Sequence, residues 1–382
     1  MNLNKVKKGL VLLISYPLYP LSFLFPSNKK KWLFGSFGKF NDNSRYLFEY
    51  CITNERDINC FWVAKNKSEF DFVKNMGYPV FYKYSINGLI HLLTSGVYIY
   101  SSYLNNLSYF TSGRKTLVNL WHGIPLKKIE FDICTPPLNH YFKDANIWMK
   151  ILYPHHHKRE DLLLCPGEYL YSHIFKSAFR KPINCIIDAN YPRVSFLREI
   201  EHNSIKNKIY NITYTPTWRD DNPSFIEEKI DLLNQIDKLA ELNNFQFNLK
   251  LHANSKFDKN KFNNFKNIKI IDNKIDPMDL LLITDCLITD YSSIYLDFLI
   301  LDRPIIFFQY DKLQYLENRE LYEYNINVLP GDICLNDREL IEILSSPING
   351  IKYKKERADL FNLISSKNGN KHIVNKIKDY IS

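Results

Sequence analysis

The chain has 382 residues, and at roughly 100–200 residues per domain that length sets two domains as the prior. A hydrophobic content of 45%, with 26 Tyr and 26 Phe against 12 Gly, excludes a disordered or low-complexity chain. The net charge is +9, but six of those charges are Lys5, Lys7, Lys8, Lys29, Lys30 and Lys31 in an acid-free stretch. That leaves too little basic character on the folded body for a nucleic-acid partner. Seven scattered cysteines, none spaced as CxxC, argue against a disulfide framework or zinc ribbon and fit free thiols in a reducing compartment.

In chain order, Leu10 to Phe25 is an apolar run between lysines. As a helix it reaches ~24 Å, short of the ~30 Å hydrocarbon core, and Pro17 and Pro20 break it. No small-residue cleavage site follows. Residues 1–31 therefore read as a membrane-associating segment lying in the interface, its lysines toward an anionic surface; a buried hairpin and a true span are the other readings. From residue 32 short apolar strands alternate with helices. Strands are predicted at 32–37, 60–64, 80–83, 97–100, 116–121 and 162–166, with helices at 68–76 and 88–94 between them. The pattern pauses over the charged stretch 196–208, where the boundary between domains 32–200 and 201–382 is placed. A second series has strands at 209–214, 245–251, 268–271, 286–289 and 304–308, and the tail 354–381 is helical with a break at Asn368-Gly369. The expected fold class is α/β, with two Rossmann-like doubly wound domains and a ligand cleft between them.

Ligands of such sheets sit at the carboxyl ends of strands, and four motifs lie there. Trp121-His122-Gly123-Ile124-Pro125 presents an imidazole beside glycine, suited to accepting a proton; a histidine satisfied by backbone is the plain alternative. Thr215-Pro216-Thr217-Trp218-Arg219-Asp220 offers hydroxyls and a forked donor for phosphate, or simply a surface turn with an Arg219–Asp220 pair. In Lys250-Leu251-His252, His252 suits a diphosphate, whereas Lys250 reads equally as a solvent-facing lysine on a half-buried strand. In Thr289-Asp290-Tyr291-Ser292-Ser293 the two serines open a helix whose amides favour phosphate, and Asp297 could hold a hydroxyl; ordinary capping by Asp290 or Ser292 is compatible with this. The triple His155-His156-His157 lacks the i, i+4 spacing of paired ligands, so no metal and no cofactor is expected; a basic loop beside the bilayer or the acceptor is the preferred reading.

Together these motifs resemble the CDP-glycerol glycerophosphotransferase family, which builds teichoic acids and related capsular polymers. The strings that carry the resemblance are WHGIPLK at 121–127, YPR at 191–193, TPTWRD at 215–220, LH at 251–252, ITDYSSIYLDF at 288–298, PIIFFQYD at 304–311 and LPGDIC at 329–334, with FNDNSRYLFEY at 40–50 like capsule-type members. The chain departs from the family in Ala253 after His252, and in Val194-Ser195 after YPR. The resemblance implies the glycosyltransferase B type of fold, peripheral attachment at the cytoplasmic face of the cell membrane, a CDP-glycerol or other CDP-alditol donor, and a lipid-linked or polymeric glycan acceptor. It implies that His122 and His252 are catalytic. It further implies that Trp121, Gly123, Ile124, Pro125, Arg193, Pro216, Thr217, Arg219, Lys250, Leu251, Ser292, Ser293 and Asp297 bind substrate. A nucleotide-sugar glycosyltransferase of the same fold, and a non-catalytic scaffold of a capsule-assembly complex, are the alternatives.

Overall fold

A computed structural model describes residues 12, 15–201, 209–219, 221–317, 320–322 and 329–382. Lys5, Lys7, Lys8 and the first part of the expected anchor lie outside the described residues, as do 202–208 of the expected boundary and Asp220. The chain divides into two compact units. The first takes residues up to Gly123, then Ile129–Ser195 and Ile364–Ser382; the second takes Ile124–Lys128 and Phe196–Leu363.

The first unit is built on seven strands: β1 Asn28–Gly35, β2 Asn59–Ala64, β3 Val80–Tyr82, β4 Ser95–Tyr100, β5 Thr116–Asn119, β6 Leu162–Leu164 and β7 Ile186–Ile187. They lie in the order β3-β2-β1-β4-β5-β6-β7, every neighbour parallel. A parallel strand covered on both faces loses the alternation of polar and apolar residues. β4 shows this, being buried throughout its length. The second unit has six strands: β8 Tyr210–Thr215, β9 Phe245–Leu249, β10 Ile268–Ile270, β11 Cys286–Thr289, β12 Ile305–Phe308 and β13 Asp332–Cys334. Their order is β10-β9-β8-β11-β12-β13, again parallel. Its core packs Phe247, Leu249, Ile288, Ile306 and Phe308 against Leu232, Leu233 and Ile236 of the helix Ile230–Asn243. Strand order reverses between β1 and β4 in one sheet and between β8 and β11 in the other. A crevice opens at such a reversal because neighbouring connections leave on opposite faces.

Two sequence expectations need correction. The segment 1–31 is not separate from the fold, because β1 begins at Asn28 and so contains Lys29, Lys30 and Lys31. Upstream, Ser22 is fully buried and its Oγ accepts the Gly113 amide at 2.9 Å, while Tyr19 stacks on Tyr109. Nor is 201–382 one continuous unit. The helix Asn370–Ile381 belongs to the first unit, where Ile373, Val374 and Ile377 are fully buried and Lys378 pairs with Glu55 and Asp57 at 2.7 and 2.8 Å. An amphipathic helix goes wherever its apolar stripe is covered, whatever its place in the chain.

Replacing Ile373 by alanine leaves a cavity in the first unit at a cost of about 2–5 kcal/mol. Hydrogen exchange should then lose protection in β1, β2 and β4 while β8, β9 and β11 keep theirs. Equal loss in both sheets would overturn the assignment of this helix.

Candidate active site

The loop after β5 carries the first candidate group. Trp121 turns the chain with φ 53°, its amide donates to Asn119 Oδ1 at 2.9 Å, and its carbonyl accepts Asn43 Nδ2 at 2.8 Å. Asn43 lies in the first turn of the helix Asp42–Asn54, whose Ser44 bonds Ser101 at the end of β4. The ends of β1, β4 and β5 are thus tied by one helix start. Arg193 completes the arrangement: its Nη1 pairs with Asp42 at 3.1 Å and donates to the His122 carbonyl at 2.8 Å. The φ of Gly123 is +135°, a conformation that favours glycine, and a Cβ there would stand 2.4 Å from Arg193 Nη2 and push the guanidinium aside. Tyr191, two residues before Arg193, donates to the Gly123 carbonyl at 3.1 Å.

His122 itself is exposed to solvent, with its ring 4.2 Å from the buried Trp121 indole. Crowding by surrounding protein, and then the neighbouring Arg193 cation, lower its pKa to about 4; a hydrogen bond to the Ser101 backbone opposes this. The imidazole is neutral at pH 7 and able to take a proton. Ile124 and Pro125 are buried in the second unit. There the chain pairs with 320–322 through Lys128 N to Glu320 O at 2.8 Å and Tyr322 N to Leu126 O at 3.0 Å.

At the reversal point of the second sheet, Asp290 is the hub. It accepts the Thr217 amide and Oγ1, the Tyr291 amide and Arg219 Nη2, the last at 2.9 Å. Asp311 takes Arg219 Nε at 2.6 Å and Nη2 at 3.0 Å, and Arg219 Nη1 donates to the Thr217 carbonyl at 2.6 Å. Burial works against the Arg219 charge, but the Asp311 hydrogen bonds and the Asp290 charge outweigh it and raise its pKa. The sequence offered Arg219 and Thr217 to a phosphate. In the structure the buried guanidinium pairs with two carboxylates and the Thr217 hydroxyl bonds Asp290. Asp311 and Asp42 went unnoticed as partners, although PIIFFQYD ends on the first and FNDNSRYLFEY contains the second.

Around this hub, His252 is exposed and its Nδ1 accepts the Asn254 amide at 3.2 Å, which puts the proton of the neutral ring on Nε2. Trp218 stacks with it at 6.0 Å. Lys250 Nζ donates to the carbonyls of Asp272 and Ile275 at 2.6 and 3.2 Å, and Leu251 and Pro216 are buried. Ser292 and Ser293 are half-buried ahead of the helix Ile294–Phe298, and Asp297 is buried within it. A cavity of about 500 Å³ lies between the loops after β8 and β12, lined by Trp218, Phe225, Tyr310 and Tyr315 with Glu228 and Asp311.

Residues 18–379 match the family model of the CDP-glycerol:poly(glycerophosphate) glycerophosphotransferases. The chain belongs to that family. It is similar to the teichoic acid glycerol-phosphate transferase of Staphylococcus aureus, with 30% identity over 366 residues covering 89% of each chain. It is also similar to the teichoic acid poly(glycerol phosphate) polymerase of Bacillus spizizenii, at 29% identity covering 87% of this chain and 86% of the relative. Among solved structures, the wall teichoic acid polymerase TagF shares the fold with a TM-score of 0.75 over all of both chains at 23% identity. As a glycerophosphotransferase the protein is a transferase, which sets the scaffold and nucleotide-sugar readings aside.

Substituting Asp290 by alanine strips Arg219 and the Thr217 amide of a buried partner, and should cost about 3 kcal/mol or more. A thermal melt reads this. Unchanged melting with weakened CDP-glycerol binding would instead make Arg219 a ligand group.

Proposed function

We infer that the protein transfers glycerol phosphate from CDP-glycerol to a hydroxyl of a teichoic-acid-type polymer and releases CMP. The observation that carries this reading is His122: a solvent-reachable imidazole at a strand end, in a loop fixed by Arg193 and Asn43 within the WHG motif of the family. In the proposed step the acceptor oxygen attacks the phosphorus bearing glycerol and the bond to the bridging oxygen breaks. The acceptor proton goes to His122, and CMP carries away the bridging oxygen. Positioning and charge stabilisation supply most of the rate in such transfers.

The donor is assigned to the strand ends of the second unit. There His252 Nε2–H, Ser292 and Ser293 face the charge that builds on the leaving diphosphate. Pro216, Leu251 and Asp297 shape the nucleotide side, and Thr217, Arg219 and Lys250 brace the loops. The acceptor and His122 are assigned to the first unit, Arg193 holding the loop that presents the base. Comparing CMP release from CDP-glycerol with that from CDP-ribitol fixes the alditol.

Replacing His122 by alanine should lower CMP release by about 10²–10⁴-fold without changing the melting temperature. In the unaltered protein, the base is lost as pH falls through the His122 pKa. Because that pKa is depressed, the acid limb of kcat/KM should lie below the ~6.5 of a free imidazole. A limb at or above that value, or a variant keeping half its activity, removes His122 from the role.

The reading includes peripheral attachment to an anionic membrane at its cytoplasmic face, where lipid-linked acceptors would be met. Leu24, Ile147 and Trp148 are 77%, 64% and 69% exposed, and the Tyr16 hydroxyl ties the N-terminal stretch to the helix Ile147–Leu152 through the Ile151 carbonyl. No helix among the described residues is long and apolar enough to cross a membrane. Cutting at Lys31 would remove Ser22 and part of β1, so surface substitutions are the cleaner test. Leu24→Ser with Trp148→Ser should reduce flotation with phosphatidylglycerol vesicles while leaving CDP-glycerol binding intact. Undiminished flotation would place the attachment elsewhere.

A further inference from the structure

Lys65 follows β2, Lys83 follows β3, and His155 lies in the short turn Pro154–His156. All three belong to the first unit: the parallel pairing of Ala64 with Tyr82 sets Lys65 and Lys83 beside each other at the ends of β2 and β3, and both charges act on the imidazole. Among the described residues no carboxylate lies within ion-pairing distance of either lysine. Lys83 Nζ donates to the Asn105 carbonyl at 3.3 Å. Lys65 Nζ stands 5.3 Å from the Phe37 ring, and Lys83 Nζ stands 5.6 Å from that of Tyr84. The acids nearby are otherwise engaged. Glu69 accepts Trp62 Nε1 and the Lys65 amide at 2.9 and 2.8 Å. Glu130 accepts the Tyr103 hydroxyl at 2.8 Å, and burial pushes it up to about 8, so it is largely uncharged at pH 7.

Glu69 offsets the Lys65 charge in part, but among the described residues no acid acts on Lys83, so an anion joining the pair would be favoured. Burial lowers Lys65 to about 8 against the opposing pull of Glu69, and burial together with the Lys65 charge lowers Lys83 to about 7. An aromatic row links this cluster to the proposed base. The Tyr103 ring is 6.1 Å from His155 and 6.3 Å from Trp121, whose indole lies 4.2 Å from His122. The exposed rings of Phe37 and Tyr84 flank the lysines and offer flat faces to the carbons of a polyol. The donor's diphosphate is already provided for in the second unit.

We propose that Lys65, Lys83 and His155 form a subsite for a phosphodiester of the acceptor polymer, upstream of the hydroxyl that His122 deprotonates. This subsite rests on the function inferred above. It gives the His155-His156-His157 turn a role in the acceptor path and makes the acceptor's own negative charge part of its recognition.

The test uses the full chain with Lys65→Met and Lys83→Met combined, which keeps the side-chain stems and removes both charges. The probes are a short poly(glycerol phosphate) oligomer, CDP-glycerol and phosphatidylglycerol vesicles. Expected are a rise of about tenfold or more in the KM and Kd for the oligomer, an unchanged Kd for CDP-glycerol and an unchanged melting temperature. An unaltered affinity for the oligomer overturns the subsite. Weakened vesicle binding with unaltered oligomer affinity also overturns it, assigning the lysines to lipid headgroups. A wild-type protein that releases no CMP from CDP-glycerol would defeat the functional reading. Direct titration of the oligomer onto both proteins then still decides the subsite.

Discussion

An arginine bridged to an aspartate closes the loop layer of each sheet, and the rest of the candidate site depends on that closure. Parallel sheets put their functional loops at one edge, where the backbone has run out of strand partners and must be fixed by side chains. In the first unit Arg193 draws together Asp42 and the carbonyl of His122. In the second Arg219 spans Asp290 and Asp311 with its guanidinium almost wholly enclosed. Neither ion pair would be worth much on an open surface. Here each fixes several loops at once, and the gain is in geometry more than in stability.

The two loop layers nevertheless differ in charge. Around Arg219 the carboxylates match the cation, and the adjoining cavity adds Glu228. Around Lys65 and Lys83 the cations are only partly offset, by Glu69 beside Lys65, with His155 as a further neighbour. The two loop layers thus differ in local charge, which the overall value of +9 conceals.

Much of this was legible in the sequence, because the period of a parallel strand and the punctuation after it are local signals. The strands at β2, β5, β9 and β11, and the placement of WHG and DYSS at strand ends, follow from runs such as Asn59–Ala64 and Cys286–Thr289. β7 has two residues, too few for a period to show, and β13 opens on Asp332 and buries only Cys334, so it lacks the apolar run that marked the other short strands. The partners of charged groups were also out of reach. Arg219 and Asp311 are 92 residues apart, Arg193 and Asp42 are 151 apart, and nothing local says whether a guanidinium meets a phosphate or a carboxylate. The final helix was misplaced for a related reason: its apolar stripe declares that it must be buried, but not against which sheet.

That helix also bears on how the protein is made. Chains emerge from the ribosome in order, and domains fold as units as they appear. The seven-stranded unit has all its strands by Ile187, yet the surface that Ile373, Val374 and Ile377 cover stays bare until the whole six-stranded unit has been synthesised. The second unit can therefore mature first, while the earlier part of the chain waits with an open apolar face. During translation, that face is where a chaperone would be needed, and where a ribosome stalled after residue 363 would leave a product prone to aggregation.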